Sequence, residues 1–172
     1  MNSGKIIETT ERLVISEFTF DDAEFILELV NTPTWIENIG DRNVKSAGDA
    51  RKYLENGPLK SYSDNGFGLY KMELKENKVP IGMCGLIKRD TLPDVDIGFA
   101  ILPAYEGKGY TFESAKAVLN QARNLKLPRI VAITLPTNTR SINLLKKLNL
   151  KFENPIHFQG EEKELLLYSI QL

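Results

Sequence analysis

Residues 96–112 read DIGFAILPAYEGKGYTF and contain an apolar stretch, a Gly-Lys-Gly loop and the start of an amphipathic helix. Glycine adopts positive φ and lets the backbone approach a ligand closely, so Gly107 and Gly109 can direct their amides toward one point. The N-terminus of the following helix adds unpaired N–H groups and a partial positive charge. The stretch therefore predicts either a cradle for a phosphate, with Lys108 as a further charge, or a glycine-rich turn that only joins a strand to a helix.

Two common phosphate-binding motifs do not match this loop. A Walker loop has Ser or Thr directly after its lysine, whereas Gly109 follows Lys108. A dinucleotide-binding loop has a third glycine where this chain has Phe112. The loop therefore belongs to neither of these nucleotide-binding classes.

Length and composition indicate the broad class of protein. With 172 residues, 42% of them hydrophobic, the chain suits one buried core, so we predict one domain over residues 1–172. No apolar run approaches the ~20 residues of a membrane helix, and the N-terminal segment lacks a hydrophobic signal core, so we expect a cytoplasmic protein. A single cysteine, Cys84, and a single histidine, His157, exclude an internal disulfide and a Cys/His metal cluster.

Charge is unevenly distributed along the chain. The net charge of −1 argues against nucleic acid as a general partner. Residues 106–151 contain nine Lys or Arg and two acids, a net charge of +7, which leaves −8 for the remaining residues. A basic half suits a phosphorylated coenzyme and an acidic remainder suits a cationic amine, although solvated helix faces explain most such lysines equally well.

Hydrophobic periodicity and turn residues predict the order of the elements. We expect strands over residues 8–18, 67–74, 79–87, 94–102, 129–135 and 163–170. Helices are expected over residues 21–30, from 46 to 56–58, over 112–125 and over 138–148. The strand–helix–strand unit within residues 94–135 should be a right-handed parallel crossover, and hairpins join most of the other strands.

Several motifs in this order resemble those of the GNAT acetyltransferase superfamily. The strand, Gly-x-Gly loop and helix resemble its acetyl-CoA pyrophosphate motif, and residues 96–99 (DIGF) resemble its acidic-Ile-Gly-aromatic strand. Residues 134–141 (TLPTNTRS) resemble its Thr-x-Pro-x-Asn-x-x-Ser stretch. Further residues resemble the Rim-type branch of this superfamily, which includes enzymes that acetylate ribosomal-protein N-termini. They are residues 10–13 (TERL), Trp35, 39–42 (IGDR), Val44 and Tyr53.

The resemblance implies a fold and an activity. The fold is of the α+β class with three α/β/α layers: a mixed, mostly antiparallel sheet of six or seven strands with about four helices. The activity is acetyl-CoA-dependent N-acetylation of a primary amine, with a protein N-terminal residue as the first hypothesis. A small-molecule amine acetyltransferase and a coenzyme-A-binding regulatory module without turnover are the alternatives, and a monomer and a homodimer are both compatible with the branch.

The resemblance also assigns residues to acetyl-CoA. The pantetheine arm would pair with the backbone of one strand, formed here by Phe99, Ala100, Ile101 and Leu102. The pyrophosphate would lie on the amides of Gly107, Lys108, Gly109, Tyr110 and Thr111. Asn138 and Ser141 would complete this site, although Asn138 equally suits an N-cap of the following helix.

Two residues are candidates for proton transfer. A general base is useful because α-amino groups (pKa ~8) and lysines (~10.4) are largely protonated at neutral pH. Asp96 occupies the acidic position of the family and, being shorter than Glu, would act through a water; alternatively it is a carboxylate paired with a neighbouring lysine. Leu145 stands where many members have a Tyr that protonates the leaving thiolate, and Ser141 is the substitute that we expect, unless its hydroxyl bonds to its own helix.

Other departures from the family concern the loop and the acceptor side. Glu106 replaces Gln or Arg, and its carboxylate would weaken pyrophosphate binding unless it points outward. Thr111 replaces Gly or Ala and would either crowd the phosphate or donate its hydroxyl to it. Trp35, Asp41 and Arg42 are the candidate acceptor-binding residues, although an aromatic residue here is equally explained as core.

Overall fold

The computed structural model describes residues 3–172. Its strands are β1 (Ile6–Thr9), β2 (Leu13–Ser16), β3 (Leu69–Leu74), β4 (Pro80–Ile87), β5 (Asp96–Ile101), β6 (Arg129–Thr134), β7 (Lys151–Ile156) and β8 (Leu165–Gln171). Its α-helices are α1 (Ala23–Val30), α2 (Pro33–Asn38), α3 (Ala47–Leu54), α4 (Lys60–Asn65), α5 (Tyr110–Asn124) and α6 (Thr139–Lys147). Short 3₁₀ turns lie at Phe20–Asp22 and Pro103–Tyr105, and a π-helical turn, Glu55–Leu59, joins α3 to α4.

The strands form one sheet in the order β1-β2-β3-β4-β5-β6-β8-β7. Neighbouring strands are antiparallel except β5 and β6, which are parallel, so the predicted mixed sheet and the parallel crossover are confirmed.

The described residues form eight strands rather than six or seven. The stretch 8–18 is a hairpin rather than one strand, because the chain turns where the Thr10 N–H bonds to the Leu13 carbonyl. β7 was missed because five of its six residues are exposed at the sheet edge, which removes the alternation that identifies a half-buried strand.

The helices also differ from the prediction at two places. The second predicted helix does not end at residues 56–58: Pro58 is accommodated in the π turn, and the helix continues to a left-handed cap at Gly66. α2 was not predicted, although Thr32 as N-cap and Pro33 at the first turn are typical start signals. With α3 and α4 counted as one, residues 3–172 form five α-helices, against about four predicted. None of these helices is long and apolar enough to cross a bilayer.

Two apolar clusters lie on opposite faces of the sheet. In β4, Cys84 and Leu86 pack in the cluster that contains the buried residues of α5 and Leu145 of α6. Met83, which directly precedes Cys84, packs instead with residues of α1, α2 and α3. Since successive strand side chains point to opposite faces, α5 and α6 cover one face and α1–α3 cover the other. The three-layer arrangement is therefore confirmed.

The β5–β6 pair determines where the sheet opens. Asp96 and Val131 form the one parallel residue pair of these strands, supported by a 3.0 Å hydrogen bond from the Val131 N–H to the Val95 carbonyl. Beyond it the described strands make no further pair, so they diverge toward their C-terminal ends. The loops before α5 and α6 lie at the wide end of this cleft.

We expect Gly85→Ala to destabilise the fold and Gly57→Ala to leave it unchanged or more stable. A Cβ at Gly85 in β4 would lie 2.1 Å from the Gly68 carbonyl oxygen, whereas one at Gly57 in the π turn meets nothing within 4 Å. The strand would have to shift, at a cost of ~1–3 kcal/mol, while alanine gains up to ~1 kcal/mol in helical backbone. Urea denaturation of both variants measures this difference, and equal unfolding free energies would contradict it.

Candidate active site

The cleft between β5 and β6 exposes one edge of β5. The Leu102 N–H donates to the Ile81 carbonyl of β4 at 2.8 Å, whereas the Val95 carbonyl faces β6. Because backbone groups alternate along a strand, those of Phe99 and Ile101 face the cleft. Of the four residues predicted to pair with the pantetheine arm, Phe99 and Ile101 thus have the required direction, while Ala100 and Leu102 direct their backbone groups toward β4.

The glycine loop presents a row of free amides at the wide end of the cleft. The six N–H groups of residues 107–112 have no acceptor within the described chain. Gly107 and Gly109 have φ of +73° and +84°, and Gly109 is the N-cap of α5. Positive φ at these two positions turns successive amides toward one side, which is the geometry of an anion-binding loop. The predicted Tyr110 and Thr111 begin the helix directly after it.

Arg12 fixes the position of this loop through contacts with the Lys108 carbonyl and the Tyr110 ring. Its Nη1 donates to the Lys108 carbonyl at 2.9 Å, its Nε donates to Glu113 Oε2 at 2.7 Å, and its guanidinium lies 4.4 Å from the centre of the Tyr110 ring. The Arg12 N–H and the Thr10 hydroxyl donate to the other Glu113 oxygen. Burial raises the pKa of Glu113, but these hydrogen bonds outweigh burial and leave that pKa lowered. Sequence reasoning missed this positioning role, although the TERL motif was the available signal.

The side chains of Lys108 and Thr111 both leave polar groups available at the loop. Lys108 is exposed, and its Nζ lies 5.6 Å from the centre of the Tyr105 ring, so its charge stays near the free amides. Thr111 is half-buried, and its hydroxyl makes no hydrogen bond within residues 3–172, whereas its carbonyl accepts one from Ser114 Oγ at 3.0 Å. The Thr111 hydroxyl is therefore free to donate.

The Glu106 carboxylate is paired with Arg140 at the start of α6. The Glu106 side chain is 18% exposed and that of Arg140 77% exposed. The carboxylate therefore turns toward the first turn of α6 rather than simply outward. The ion pair joins the loop that follows β5 to the helix that follows β6.

Asn138 and Ser141 lie together at the start of α6. Asn138 Oδ1 accepts the Ser141 N–H at 3.1 Å, so Asn138 is the N-cap of this helix. Its side-chain amide NH₂ and the Ser141 hydroxyl make no hydrogen bond within the described residues. The hydroxyl is therefore not bonded to its own helix and can serve another group. Leu145, one turn further on, is completely buried and presents no polar group.

Asp96 lies at the narrow end of the cleft and is 1% exposed. Arg89 Nε donates to both its carboxylate oxygens, at 3.1 and 3.2 Å. Burial raises the pKa of Asp96 to about 6, although the charge and the hydrogen bonds of Arg89 act to lower that pKa. The partner is an arginine rather than the lysine that the sequence suggested. Sequence reasoning missed Arg89, because only the pairing of Ile87 with Asp96 in β4 and β5 brings it there.

A groove of about 970 Å³ lies beside Asp96, between α3–α4 and the C-terminal end of β4. We call it the α3–α4 groove; its lining includes Arg42, Tyr53, Leu69, Ile87, Lys88 and Arg89. A Cβ on Gly98 would lie 2.8 Å from Ile87 and 3.6 Å from Leu69, so the face of β5 that carries Asp96 borders this groove.

The three predicted acceptor residues are separated in the structure. Arg42 lines the α3–α4 groove. Trp35 is 5% exposed and packs in the core among α1–α3. This agrees with the alternative given above, that an aromatic residue here belongs to the core. Asp41 is exposed and pairs with Lys45 at 3.2 Å. Within residues 3–172 no group of three or more His, Cys, Asp or Glu side chains is arranged to hold a metal ion.

Comparison with known proteins agrees with this geometry. Residues 12–151 match the family model described as an acetyltransferase (GNAT) domain. The uncharacterized N-acetyltransferase YnaD of Bacillus subtilis (strain 168) is 29% identical over 146 residues, which cover 84% of this chain and 82% of YnaD. A GNAT-family acetyltransferase from Bacillus anthracis superposes with a TM-score of 0.78 and 26% identity, over 95% of this chain and 96% of that one.

The fold is also shared with RimL, a ribosomal L7/L12 alpha-N-protein acetyltransferase solved in complex with coenzyme A. The TM-score is 0.81 over 98% of both chains, and the identity is 15%, so this likeness concerns the fold alone. Family model, relatives and fold are consistent with each other. The chain therefore belongs to the GNAT family of acetyl-CoA-dependent N-acetyltransferases.

Proposed function

We propose that this protein transfers the acetyl group of acetyl-CoA to the α-amine of a peptide or protein N-terminus. The observation that carries the coenzyme part is the row of six unpaired amides, residues 107–112, beside the free backbone edge of β5. Free amides in a glycine loop at a helix N-terminus form an anion site, and a pyrophosphate followed by two amides of a pantetheine arm supplies partners for the loop and the strand in this order.

The described residues fit the coenzyme at each part of the cleft. Phe99 and Ile101 would pair with the pantetheine amides, the loop amides and Lys108 would hold the pyrophosphate, and the free amide NH₂ of Asn138 would bond to the arm. Acetyl-CoA supplies an activated acetyl thioester. The chain's contribution is to bind it along β5 and to hold the amine beside it, and such positioning is worth several kcal/mol of barrier.

Asp96 and Ser141 are the groups that would handle protons. Since the pKa of Asp96 is about 6, its carboxylate is ionised at neutral pH and can accept a proton from the ammonium group of the acceptor. Because Asp96 is almost fully buried, this transfer needs a water between the two groups. The unbonded Ser141 hydroxyl is free to donate a proton to the departing thiolate.

A peptide acceptor is supported by the shape of the site. The α3–α4 groove, about 970 Å³ in volume, is lined by residues of two helical segments and by Arg89, the partner of Asp96, so it can hold more than one residue of a peptide. The fold likeness to an enzyme that acetylates a ribosomal-protein N-terminus points in the same direction. A small amine remains the second candidate, because a cavity of this size also suits small ligands.

The experiment that tests this function is thiol release from acetyl-CoA with a panel of acceptors. We expect release with peptides that have a free N-terminus and none with the same peptides acetylated in advance. Release with small amines but with no peptide would favour the second candidate. Peptides that carry an internal lysine behind a blocked N-terminus serve as the control for side-chain acetylation.

Gly109→Val should abolish most coenzyme binding. Gly160→Val is the matched control, because Gly160 has the same φ of +84° but lies in the loop between β7 and β8. Both variants carry the strain of a β-branched residue at positive φ. Only Gly109 lies in the amide row, where a Cβ would also lie 3.3 Å from Nη2 of the flexible Arg12 side chain, whereas one at Gly160 meets nothing within 4 Å. In thermal unfolding, acetyl-CoA at 100 times Kd should stabilise wild type and Gly160→Val by ~2.7 kcal/mol and Gly109→Val by much less. Equal stabilisation of both variants would place the phosphate site elsewhere.

Arg140→Ala should weaken coenzyme A binding because it leaves the Glu106 charge uncompensated near the pyrophosphate. Since Arg140 is largely exposed, we expect an effect of no more than ~1 kcal/mol, which isothermal titration calorimetry can resolve. In the Glu106→Gln background the same substitution should have little effect. An equal loss in both backgrounds would instead mean that Arg140 contacts the coenzyme itself.

Asp96→Asn should remove a pH-dependent step from turnover. The base is protonated below its pKa of about 6 and ionised above it, so the wild-type rate should rise with pH across this value. The variant should lose this rise and ~10²-fold in kcat, while coenzyme affinity changes little. Asp94→Asn, which alters an aspartate paired with Arg129, is the control. A variant that keeps the rise near pH 6 would remove Asp96 from proton transfer.

A further inference from the structure

The α3–α4 groove is more basic than acidic. Its lining contains five cations, Arg42, Lys52, Lys60, Lys88 and Arg89, and three acids, Asp49, Asp64 and Asp90. Some of these charges are paired: Lys60 with Asp64 one turn away, and Arg89 with Asp96, while Asp49 accepts the Lys45 backbone N–H at 3.0 Å. The groove beside the candidate base therefore has a surplus of positive charge, although the chain as a whole has a net charge of −1.

Arg42, Arg89 and Tyr53 line the same groove. Burial raises the pKa of the Tyr53 phenol, and the charges of these two guanidinium groups oppose that rise. Arg42 is exposed and has no hydrogen-bond or ion-pair partner within residues 3–172. Arg89 uses its Nε for Asp96, and its two terminal nitrogens make no hydrogen bond in the described chain. The Tyr53 hydroxyl is likewise without a partner there.

These three groups form a set of donors that suits a carboxylate. A guanidinium binds a carboxylate through two parallel N–H···O bonds, and a phenol adds a further donor. An ammonium group would instead be repelled by both arginines. The neutral amine that attacks the thioester is compatible with this charge, provided that an anionic group of the same acceptor reaches the arginines.

We propose, on the basis of the proposed function, that Arg42, Arg89 and Tyr53 bind an acidic side chain at the second residue of the acceptor peptide. Arg89 donates its Nε–H to Asp96 and keeps its terminal nitrogens free, so the candidate base and the anion site share one guanidinium group. One extended residue spans ~3.5 Å, so an acid on the second residue can reach this guanidinium while the N-terminal amine lies near Asp96. The acceptor is therefore an acidic N-terminus.

The test compares three peptides that differ only at the second residue: Ala-Glu, Ala-Gln and Ala-Lys, each followed by the same neutral sequence. We measure thiol release from acetyl-CoA and compare kcat/KM. Wild type should prefer the Glu peptide to the Gln peptide by about tenfold, as expected for charged hydrogen bonds, and should disfavour the Lys peptide. The preference should shrink at high salt, because added ions screen a partly exposed charge pair.

Variants at Arg42 identify the side chain responsible. Arg42→Gln should reduce the Glu-to-Gln ratio toward one, and Arg42→Glu should invert the preference in favour of the Lys peptide, an outcome that misfolding cannot produce. Arg51→Gln is the control, since Arg51 is an exposed arginine of α3 that lies over the Phe20 ring outside the groove. It should keep the wild-type ratio.

The outcomes separate this inference from the proposed function. Equal kcat/KM for the Glu and Gln peptides, with clear thiol release from both, overturns the anion site and leaves peptide N-acetylation in place. A ratio that Arg42→Gln does not change also overturns it. Absence of release from all three peptides overturns the proposed function itself, and the acidic acceptor with it.

Discussion

β5 and β6 pair in parallel only at Asp96 and Val131, and the parts of the site are arranged around the divergence that follows. In an ordinary sheet, the backbone groups of Phe99 and Ile101 would be used by the neighbouring strand. Here they face an opening, and unpaired backbone groups require a partner from solvent or ligand. The same pairing buries Asp96 at the narrow end of the cleft, so one local feature of the sheet positions both the expected coenzyme edge and the candidate base.

In the loop at the wide end of the cleft, backbone groups and side chains have different roles. Backbone amides of residues 107–112 are left free, while side chains hold the loop in place: Arg12 and Glu113 from behind, and Glu106 with Arg140 across the cleft. This division explains how an acidic residue is tolerated next to the proposed pyrophosphate site. The charge of Glu106 is compensated by Arg140 in the first turn of α6.

The charge balance of the α3–α4 groove differs in sign from that of the chain outside residues 106–151. The acidic balance outside residues 106–151 suggested a cationic acceptor, yet the α3–α4 groove gathers five basic side chains from loops and helices that are far apart in sequence. Over more than about one Debye length, ~8–10 Å, exposed charges are screened, so the charges within a groove outweigh the overall total in selecting a ligand.

The sequence by itself determined the family, the layered fold and the amide loop, because periodicity, glycine conformation and helix caps act within a few neighbouring residues. It failed at β7, whose exposure at the sheet edge removes the alternating pattern, and at Pro58, whose π turn depends on packing. Only the tertiary structure decided which side chains meet: Arg12 with Glu113, Glu106 with Arg140, Arg89 with Asp96, and Arg42 with the groove. These contacts are set by strand register and by the packing of helices on the sheet, which bring together residues up to about a hundred positions apart, and no local pattern encodes such distances.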